Sequence, residues 1–239
     1  MKIKKHLNKI PVICLIVFLS LSGTHILQNQ METVQKSTVR ESEISFSDIP
    51  KYQDEPYAVL NNNRPEFSEE EITDKSFEHY SSLDVLGRCG EVLACVGIDI
   101  MPTEERGSIG MVKPSGWHTV KYDFIDGKYL YNRCHLIGYQ LTGENANEKN
   151  LITGTRYMNV EGMLPFENMV ADYVTETENH VMYRVTPVYQ DNNLVASGVQ
   201  MEGYSVEDEG KGISFNVYCY NVQPGVKIDY RIGYSSLDD

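Results

Sequence analysis

The sequence predicts an α+β fold built around an antiparallel β-sheet, and three observations carry that prediction. From Val181 onward, short runs rich in β-branched and aromatic residues alternate with turn-forming residues, as in consecutive antiparallel strands. One central segment instead shows helical spacing of apolar residues, at Phe166, Met169, Val170 and Tyr173. The 16 Tyr and 18 Gly also favour β structure.

Composition and charge limit the classes to which this chain can belong. With 239 residues, 41% of them hydrophobic and 23% charged, it is typical of a globular domain and unlike a collagen, a coiled coil or a polytopic membrane protein. The formal net charge of −13 argues against binding of nucleic acid by bulk electrostatics, which requires an excess of Lys and Arg. A local positive site inside a net negative surface is compatible with this charge.

The N-terminal region has the pattern of an export signal. Four lysines within the first nine residues precede an apolar run at residues 10–21. We therefore expect residues 1–27 to be a signal peptide or, alternatively, an uncleaved membrane anchor, with the rest of the chain outside the cell. Residues 28–54 are polar and bury too little surface to fold, so they are expected to form a flexible tether. The folded domain is expected to span residues 55–239.

The first elements of the domain are a short strand and an acidic helix start. The strand is predicted at residues 56–60 and is ended by three asparagines. Ser68 followed by three glutamates suits a helix N-terminus, with the charges in solvent. The four cysteines of the domain could be free thiols or could form disulfides in three possible pairings, and the sequence does not decide between these alternatives. They are Cys89, Cys95, Cys134 and Cys219.

A β-hairpin is expected at the centre of the chain. Two alternating runs, residues 118–125 and 128–135, flank an Asp-Gly pair, which is a strong hairpin signal. Successive strand residues point to opposite sides, so Arg133 and His135 are expected together on one face at the end of the second strand. A two-residue turn would also place His118 opposite His135.

The remaining elements complete the predicted fold. A short apolar strand is expected at residues 151–153, followed by the amphipathic helix. Pro165 is either a kink in a longer helix or the start of a second one. Four further strands are expected to form an antiparallel meander against which the helix packs. They cover residues 181–189, 194–204, 213–222 and 226–232.

A set of polar residues around the second hairpin strand carries a family resemblance. The set consists of Arg133, His135, Asn150, Asn159 and Glu167, with nine residues from the first asparagine to the second. In this arrangement the sequence resembles the DNA/RNA non-specific endonucleases, also called ββα-metal or His-Me finger nucleases. It is most similar to their secreted streptococcal DNases (streptodornases) and DNA-uptake nucleases. The resemblance implies an antiparallel sheet core that carries a ββα-metal finger.

The resemblance implies roles for three of these residues, and their chemistry agrees. His135, neutral near pH 7, would take a proton from the water that attacks phosphorus. Asn159 would bind Mg²⁺, or Mn²⁺ in its place, through its amide oxygen while water fills most other positions. Glu167 would act in catalysis by hydrogen-bonding water on the ion and holding the hydrated ion in place.

Three further residues are expected at the site. Arg133 would act in catalysis by clamping a non-bridging phosphate oxygen, and Arg106 would bind the substrate by reaching phosphate from a loop. Asn150 is expected to contact the substrate or the scaffold rather than the metal.

Two residues depart from the family pattern at the strand end. Asn132 stands where the family usually has Asp, and Cys134 stands where it usually has Gly. By strand alternation both are expected to point away from the His135 face. We therefore expect the departures to change how the strand end is held rather than the catalytic group.

The function that the resemblance implies is that of a secreted or surface-tethered Mg²⁺-dependent endonuclease. It would hydrolyse DNA, with RNA as a further substrate, and leave 5′-phosphate ends. Contacts should be mainly to phosphate and sugar, because no base-reading helix is evident. No obligate protein partner is expected. Contact with a membrane is expected only through an uncleaved N-terminal segment. The competing hypothesis is a catalytically silent nucleic-acid-binding or adhesion module, against which the presence of a general base argues.

Overall fold

The three-dimensional structure is a computed structural model that describes residue 44 and residues 46–238. Within that part of the chain the strands are, in order, β1 (Tyr57–Val59), β2 (Phe77–Tyr80), β3 (Val92–Val96), β4 (Tyr131–His135), β5 (Leu151–Thr155), β6 (Val181–Val188), β7 (Gly198–Ser205), β8 (Ser214–Tyr220), β9 (Val226–Asp229) and β10 (Tyr234–Leu237). Six of them form one antiparallel sheet in the order β1-β8-β7-β6-β3-β2. The predicted α+β class with an antiparallel core is confirmed.

The C-terminal meander is confirmed for three of its four predicted strands. Strands β6, β7 and β8 are antiparallel neighbours in the sheet. The fourth predicted strand, β9, instead pairs with β10 in a separate ribbon, because the chain reverses at Gly225, which has a left-handed φ of 78°. Strands β2 and β3 extend the sheet beyond β6, in a segment for which the sequence predicts no element.

Two strands and a helix form the unit that carries the site. Strands β4 and β5 pair antiparallel, with His135 opposite Leu151. A short helix, α1 (Tyr139–Thr142), lies between them in the chain. After β5 the chain enters a π-helical turn (Met158–Met163) that runs directly into helix α2 (Leu164–Thr177). This ββα unit confirms the predicted finger motif.

Helix α2 packs an apolar face onto the large sheet. Phe166, Val170 and Val174 are buried in the main core. Met169, predicted on this face, is 45% exposed, because the buried positions follow a four-residue spacing that leaves it at the edge. Pro165 lies in the first turn of α2, where its missing N–H needs no partner. The proline therefore marks a helix start.

The central hairpin differs from its prediction. Its two runs meet at a single bridge between Lys121 and Tyr129, and the connection contains two successive turns rather than a two-residue loop. The longer connection shifts the register, so His118 does not face His135. The Nε2 of His118 instead lies 2.8 Å from the carbonyl oxygen of Ile232. Strand β4 finds its partner in β5.

The helix predicted at Ser68 is a single turn. The Ser68 N–H donates to Oε2 of Glu71 at 2.7 Å, and the Ile72 N–H donates to the Ser68 carbonyl, but the helix does not continue. The acidic run is also less solvated than predicted, because Glu71 forms an ion pair with Arg184, which is 2% exposed. A buried guanidinium is costly without a charged partner, so its ion pair with Glu71 holds this segment against the sheet.

Folded structure begins before the predicted domain boundary at residue 55. Ile44, Ile49 and Tyr52 pack against a second apolar cluster that contains Tyr218. The prediction of a flexible tether is therefore wrong for its last residues, because their apolar side chains pack against this cluster. The rest of the tether and the predicted signal or anchor at residues 1–27 lie outside the described residues. In the described part, no helix has the length and apolar character needed to cross a bilayer.

The cysteines of the domain are free and buried thiols. Burial raises the pKa of Cys89 and of Cys95 to about 12, so these thiols are unreactive at neutral pH. Cys134 packs against Gly154, where an added Cβ would collide with its sulfur. The lack of a side chain at Gly154 thus makes room for the cysteine that replaces the family's glycine.

Candidate active site

Most of the predicted site residues meet in one open cleft of about 700 Å³ beside the ββα unit. Those that line it are Arg106, Arg133, His135, Asn159 and Glu167, joined by Arg156. Three arginines and one glutamate therefore face the same space. The cleft is locally positive in a chain whose formal net charge is −13.

Strand alternation delivers β4 side chains to the cleft. Tyr131, Arg133 and His135 line it, as the period of two predicts, whereas Cys134 is fully buried on the other side. Asn132 also lines the cleft, so its predicted orientation away from the site is wrong. Asn132 is half-buried and lies opposite Gly154, which has no side chain to cover it on that face.

His135 is the last residue of β4 and is only 6% exposed. Its Nε2 lies 2.7 Å from the backbone carbonyl oxygen of Asn145, and its Nδ1 lies 3.2 Å from Nη2 of Arg106. A carbonyl can only accept and a guanidinium can only donate. The two contacts therefore assign the ring proton to Nε2 and the lone pair to Nδ1.

The surroundings of His135 favour its neutral form. The pKa of His135 is lowered from 6.5 to about 4, mainly by burial and to a smaller extent by the positive charge of Arg106. The hydrogen bond to the Asn145 carbonyl acts in the opposite direction. The imidazole is thus unprotonated at neutral pH, as a general base must be.

The π-helical turn and the start of α2 place Asn159 and Glu167 in the cleft. The Asn159 carbonyl accepts from the Leu164 N–H, the five-residue step that widens a π-helical turn. Within the described chain, neither the Asn159 amide nor the Glu167 carboxyl is hydrogen-bonded to another protein group. The oxygen atoms of both side chains are therefore free to meet a ligand.

The Glu167 carboxyl lies against Gly138, where an added Cβ would come within 2.8 Å of its Oε2. Desolvation raises the pKa of Glu167 to about 8, and the charge of Arg106 opposes this rise. A carboxyl in such surroundings is stabilised in its charged form by a nearby cation.

The donors of the cleft suit a hydrated divalent ion. An amide oxygen and a carboxylate are the ligand types that hard cations prefer. Among the described residues, no group of three or more His, Cys, Asp or Glu side chains is close enough to hold a metal ion. An ion in this cleft would therefore keep much of its water, which is the habit of Mg²⁺.

Arg133 is fixed on the cleft wall by the loop before β4. Its Nε donates to the Val112 carbonyl and its Nη2 donates to the Gly110 carbonyl at 2.9 Å. The guanidinium also lies 4.0 Å from the ring centroid of Trp117. Arg133 has further N–H groups, so the phosphate clamp stays a prediction, and anchoring of this loop is an added role.

Asn150 does not reach the cleft, so the substrate contact predicted for it is wrong. The residue is fully buried. Its Oδ1 accepts from the Ile137 N–H at 2.8 Å, and its Nδ2 donates to the Ile137 carbonyl at 3.0 Å. Both ends of the amide therefore hold the chain two residues after His135, which is the scaffold role that the sequence left open.

Two contributions to the site were missed from the sequence. The Asn145 carbonyl that orients His135 is a backbone group, and a backbone group leaves no signal in side-chain patterns. Arg156 lines the cleft and pairs with Asp126 at 2.7 Å. Its position three residues before Asn159, at the start of the helix, is the sequence feature that could have predicted its place in the cleft.

Two antiparallel strands followed by a helix, with a histidine on the first strand and an asparagine on the helix facing one cleft, define the ββα-metal class of nucleases. The family model described as DNA/RNA non-specific endonuclease matches residues 68–207. This chain belongs to that family and is an endonuclease, a hydrolase of phosphodiester bonds.

Solved structures agree with this assignment. NucA from Streptococcus agalactiae with magnesium bound is 25% identical, with a TM-score of 0.70 over 81% of this chain and 94% of that chain. The Sda1 nuclease with bound zinc is 26% identical, with a TM-score of 0.63 over 77% of this chain and 96% of that one. A structure described as an extracellular endonuclease, 19% identical, shares the fold with a TM-score of 0.55 over 78% of this chain and 100% of that chain.

Proposed function

We propose that this protein is an extracellular, Mg²⁺-dependent endonuclease that cleaves DNA, and RNA as a second substrate, with His135 as the general base. One observation carries the proposal. The lone pair of His135 is assigned to Nδ1, and the histidine lines the same cleft as Asn159 and Glu167, whose side-chain oxygens have no protein hydrogen-bond partner in the described chain.

The residues present fit a divalent ion. Asn159 would hold it through the amide oxygen, and Glu167 would accept hydrogen bonds from its hydration water. When bound, the ion would neutralise charge on the phosphate and on the leaving 3′-oxygen. The magnesium in the NucA structure and the zinc in the Sda1 structure support a divalent ion in proteins of this kind.

His135 supplies the proton transfer. Its Nδ1 accepts a proton from a water molecule as the water oxygen bonds to phosphorus, and the bond from phosphorus to the 3′-oxygen breaks. The positive charge that forms on the imidazole is stabilised by the Nε2–H bond to the Asn145 carbonyl. The leaving 3′-oxygen takes a proton from solvent water, so the products carry a 5′-phosphate and a 3′-hydroxyl.

Arginines of the cleft bind the substrate backbone. Arg106, Arg133 and Arg156 line the site, and each guanidinium can donate to non-bridging phosphate oxygens. Such contacts carry no sequence information, which agrees with a nuclease without base specificity.

An extracellular site of action is supported by two observations. Residues 1–27 have the charge and apolar pattern of an export signal. One structural neighbour is described as an extracellular endonuclease.

The test is cleavage of plasmid DNA and of RNA by the purified protein in Mg²⁺, in EDTA, and in EDTA followed by excess Mg²⁺. We expect cleavage in Mg²⁺, none in EDTA, full recovery on return of Mg²⁺, and 5′-phosphate product ends. Undiminished cleavage in EDTA would exclude the metal, and binding without cleavage would establish the silent module instead.

A pair of variants tests the proposed ligand. Asn159→Ala removes the amide oxygen and should reduce cleavage at least about 100-fold in saturating Mg²⁺, the size of effect seen when a catalytic electrostatic contact is lost. Asn159→Asp keeps an oxygen ligand and should retain more activity than Asn159→Ala. Equal activity of Asn159→Ala and the wild type would remove this residue from the metal site.

A further inference from the structure

The basic atom of His135 is covered in this structure. Arg106 Nη2 lies 3.2 Å from Nδ1 and donates to the lone pair that a general base must offer to water. The other ring nitrogen is occupied by the Asn145 carbonyl, and the residue is 6% exposed. Water therefore cannot bond to Nδ1 while Arg106 stays in place.

We propose that Arg106 caps the base atom of His135 in the substrate-free protein and uncovers it when a phosphodiester enters the cleft. The proposal rests on the proposed function, in which Nδ1 is the proton acceptor. It gives Arg106 a positioning role in addition to its contact with phosphate, because the move to phosphate is what uncovers Nδ1. Water can reach Nδ1 of His135 only when the Arg106 side chain has moved away from it.

The backbone around Arg106 is held while its side chain is free to swing. The Tyr139 hydroxyl donates to the Glu104 carbonyl at 2.8 Å. Gly107 packs against Asn145, where an added Cβ would lie 2.8 Å from Nδ2. The Arg106 residue itself is exposed. Removing the cap therefore requires only a rotation of one exposed side chain.

A phosphate group is the natural competitor for the cap. Arg106 donates to a neutral nitrogen, and within the described chain no carboxylate forms an ion pair with it. A phosphate oxygen carries a full negative charge and can pair with a guanidinium through two parallel N–H bonds, whereas Nδ1 of the neutral imidazole offers one uncharged lone pair. A phosphodiester that enters the cleft should therefore draw Arg106 from Nδ1 and leave the lone pair open to water.

The test is the chemical reactivity of His135 in the full protein without metal or nucleic acid. Diethylpyrocarbonate acylates an imidazole nitrogen that has a free lone pair, and peptide mapping by mass spectrometry measures the rate at each histidine. Arg106→Ala should raise the rate at His135 about tenfold or more, the factor expected for loss of a hydrogen bond to a charged donor.

The matched control is Arg156→Ala, which removes another cleft arginine that pairs with Asp126 and does not touch His135. It should leave the reactivity of His135 within about twofold of the wild type, a change of less than about 0.5 kcal/mol. Equal rates in the wild type and Arg106→Ala would overturn the cap. Equal acceleration in both variants would also overturn it, because the effect would then be one of general charge.

A second measurement follows the ring directly. With ¹⁵N-labelled histidine and arginine, inorganic phosphate should shift the Nδ1 resonance of His135 in the wild type and should leave it unchanged in Arg106→Ala. An unchanged Nδ1 resonance in the wild type, while the Arg106 side-chain signals show bound phosphate, would contradict uncovering. Neither measurement depends on cleavage, so a failure of the cap and a failure of the nuclease proposal are distinguished by the plasmid assay.

Discussion

At His135 two hydrogen bonds decide which atom can act. The Asn145 carbonyl takes the Nε2 proton, and burial keeps the ring neutral, so Nδ1 is the basic atom. A sequence pattern can place a histidine at a strand end, but the carbonyl that fixes its tautomer comes from a loop ten residues away. The position of the proposed base at the strand end was therefore predictable from sequence, and the ring nitrogen that carries its lone pair was not.

Burial of neutral His135 makes stability depend on pH. The folded pKa of about 4 lies below the ordinary value of 6.5, so between these values the unfolded chain binds a proton that the folded protein does not. Stability should fall as pH decreases from about 6.5 to 4, by up to about 3 kcal/mol from this residue.

The measurement is urea unfolding at pH 7, 5.5 and 4 for the wild type and His135→Gln, which cannot titrate. The difference in unfolding free energy between pH 7 and pH 4 should be smaller in the variant. Parallel pH curves for the two proteins would show that His135 is not buried in its neutral form.

At the scale of elements, the ββα unit holds its site residues by contacts outside the catalytic set. Asn150 bonds the backbone of Ile137 with both ends of its amide, and this fixes the chain that leaves His135. The π-helical turn presents Asn159 to the same cleft. The chain around the proposed catalytic side chains is therefore held by contacts that those side chains do not make themselves.

Asn150→Ala should destabilise the fold by about 3 kcal/mol, because it leaves a buried N–H and a buried carbonyl without partners. Cleavage should fall as well, since the strand end moves. The control is Asn192→Ala at an exposed turn, which should change stability by less than about 0.5 kcal/mol. Thermal unfolding compares the three proteins, and equal losses for both variants would rule out a special role for Asn150.

Local periodicity predicted part of this arrangement and missed what depends on distant partners. The period of two placed Arg133 and His135 on one face correctly, because strand geometry is local. The same rule gave the wrong register for His118, because two successive turns lengthened the connection. Residue 68 begins a single capped turn but no helix, and Glu71 of this turn pairs with the buried Arg184, a distant partner that the local pattern does not show.

The order of the strands was also beyond local patterns. Strand β3 inserts between β2 and β6, which are more than eighty residues apart in the chain. Such pairing depends on which apolar faces meet in the core. The alternation of residues within one strand does not show which other strand will pair with it.

At the scale of the whole molecule, the charge of the cleft is opposite in sign to the net charge of the chain. The formal net charge is −13, yet three arginines and one glutamate line the cleft. The negative surface repels polyanions elsewhere on the protein, while the cleft attracts a phosphate backbone. This distribution suits an enzyme that must bind nucleic acid at one place and release the product.

Binding should therefore depend on salt through a few contacts only. Removal of one phosphate contact by Arg156→Ala should weaken DNA binding and reduce the slope of log affinity against log salt by about 1. Arg64→Ala, at an exposed position outside the cleft, should change neither. Fluorescence anisotropy with labelled DNA in EDTA measures both, and an equal effect of the two variants would place the binding surface elsewhere.

The most direct test of the account is single-turnover cleavage of plasmid DNA by His135→Ala in saturating Mg²⁺. Loss of the general base should reduce the rate about 10² to 10⁴-fold while DNA binding and the circular dichroism spectrum are unchanged. His118→Ala, at a histidine outside the cleft, should cleave within about twofold of the wild type. Cleavage by His135→Ala at the wild-type rate would contradict the assignment of the base.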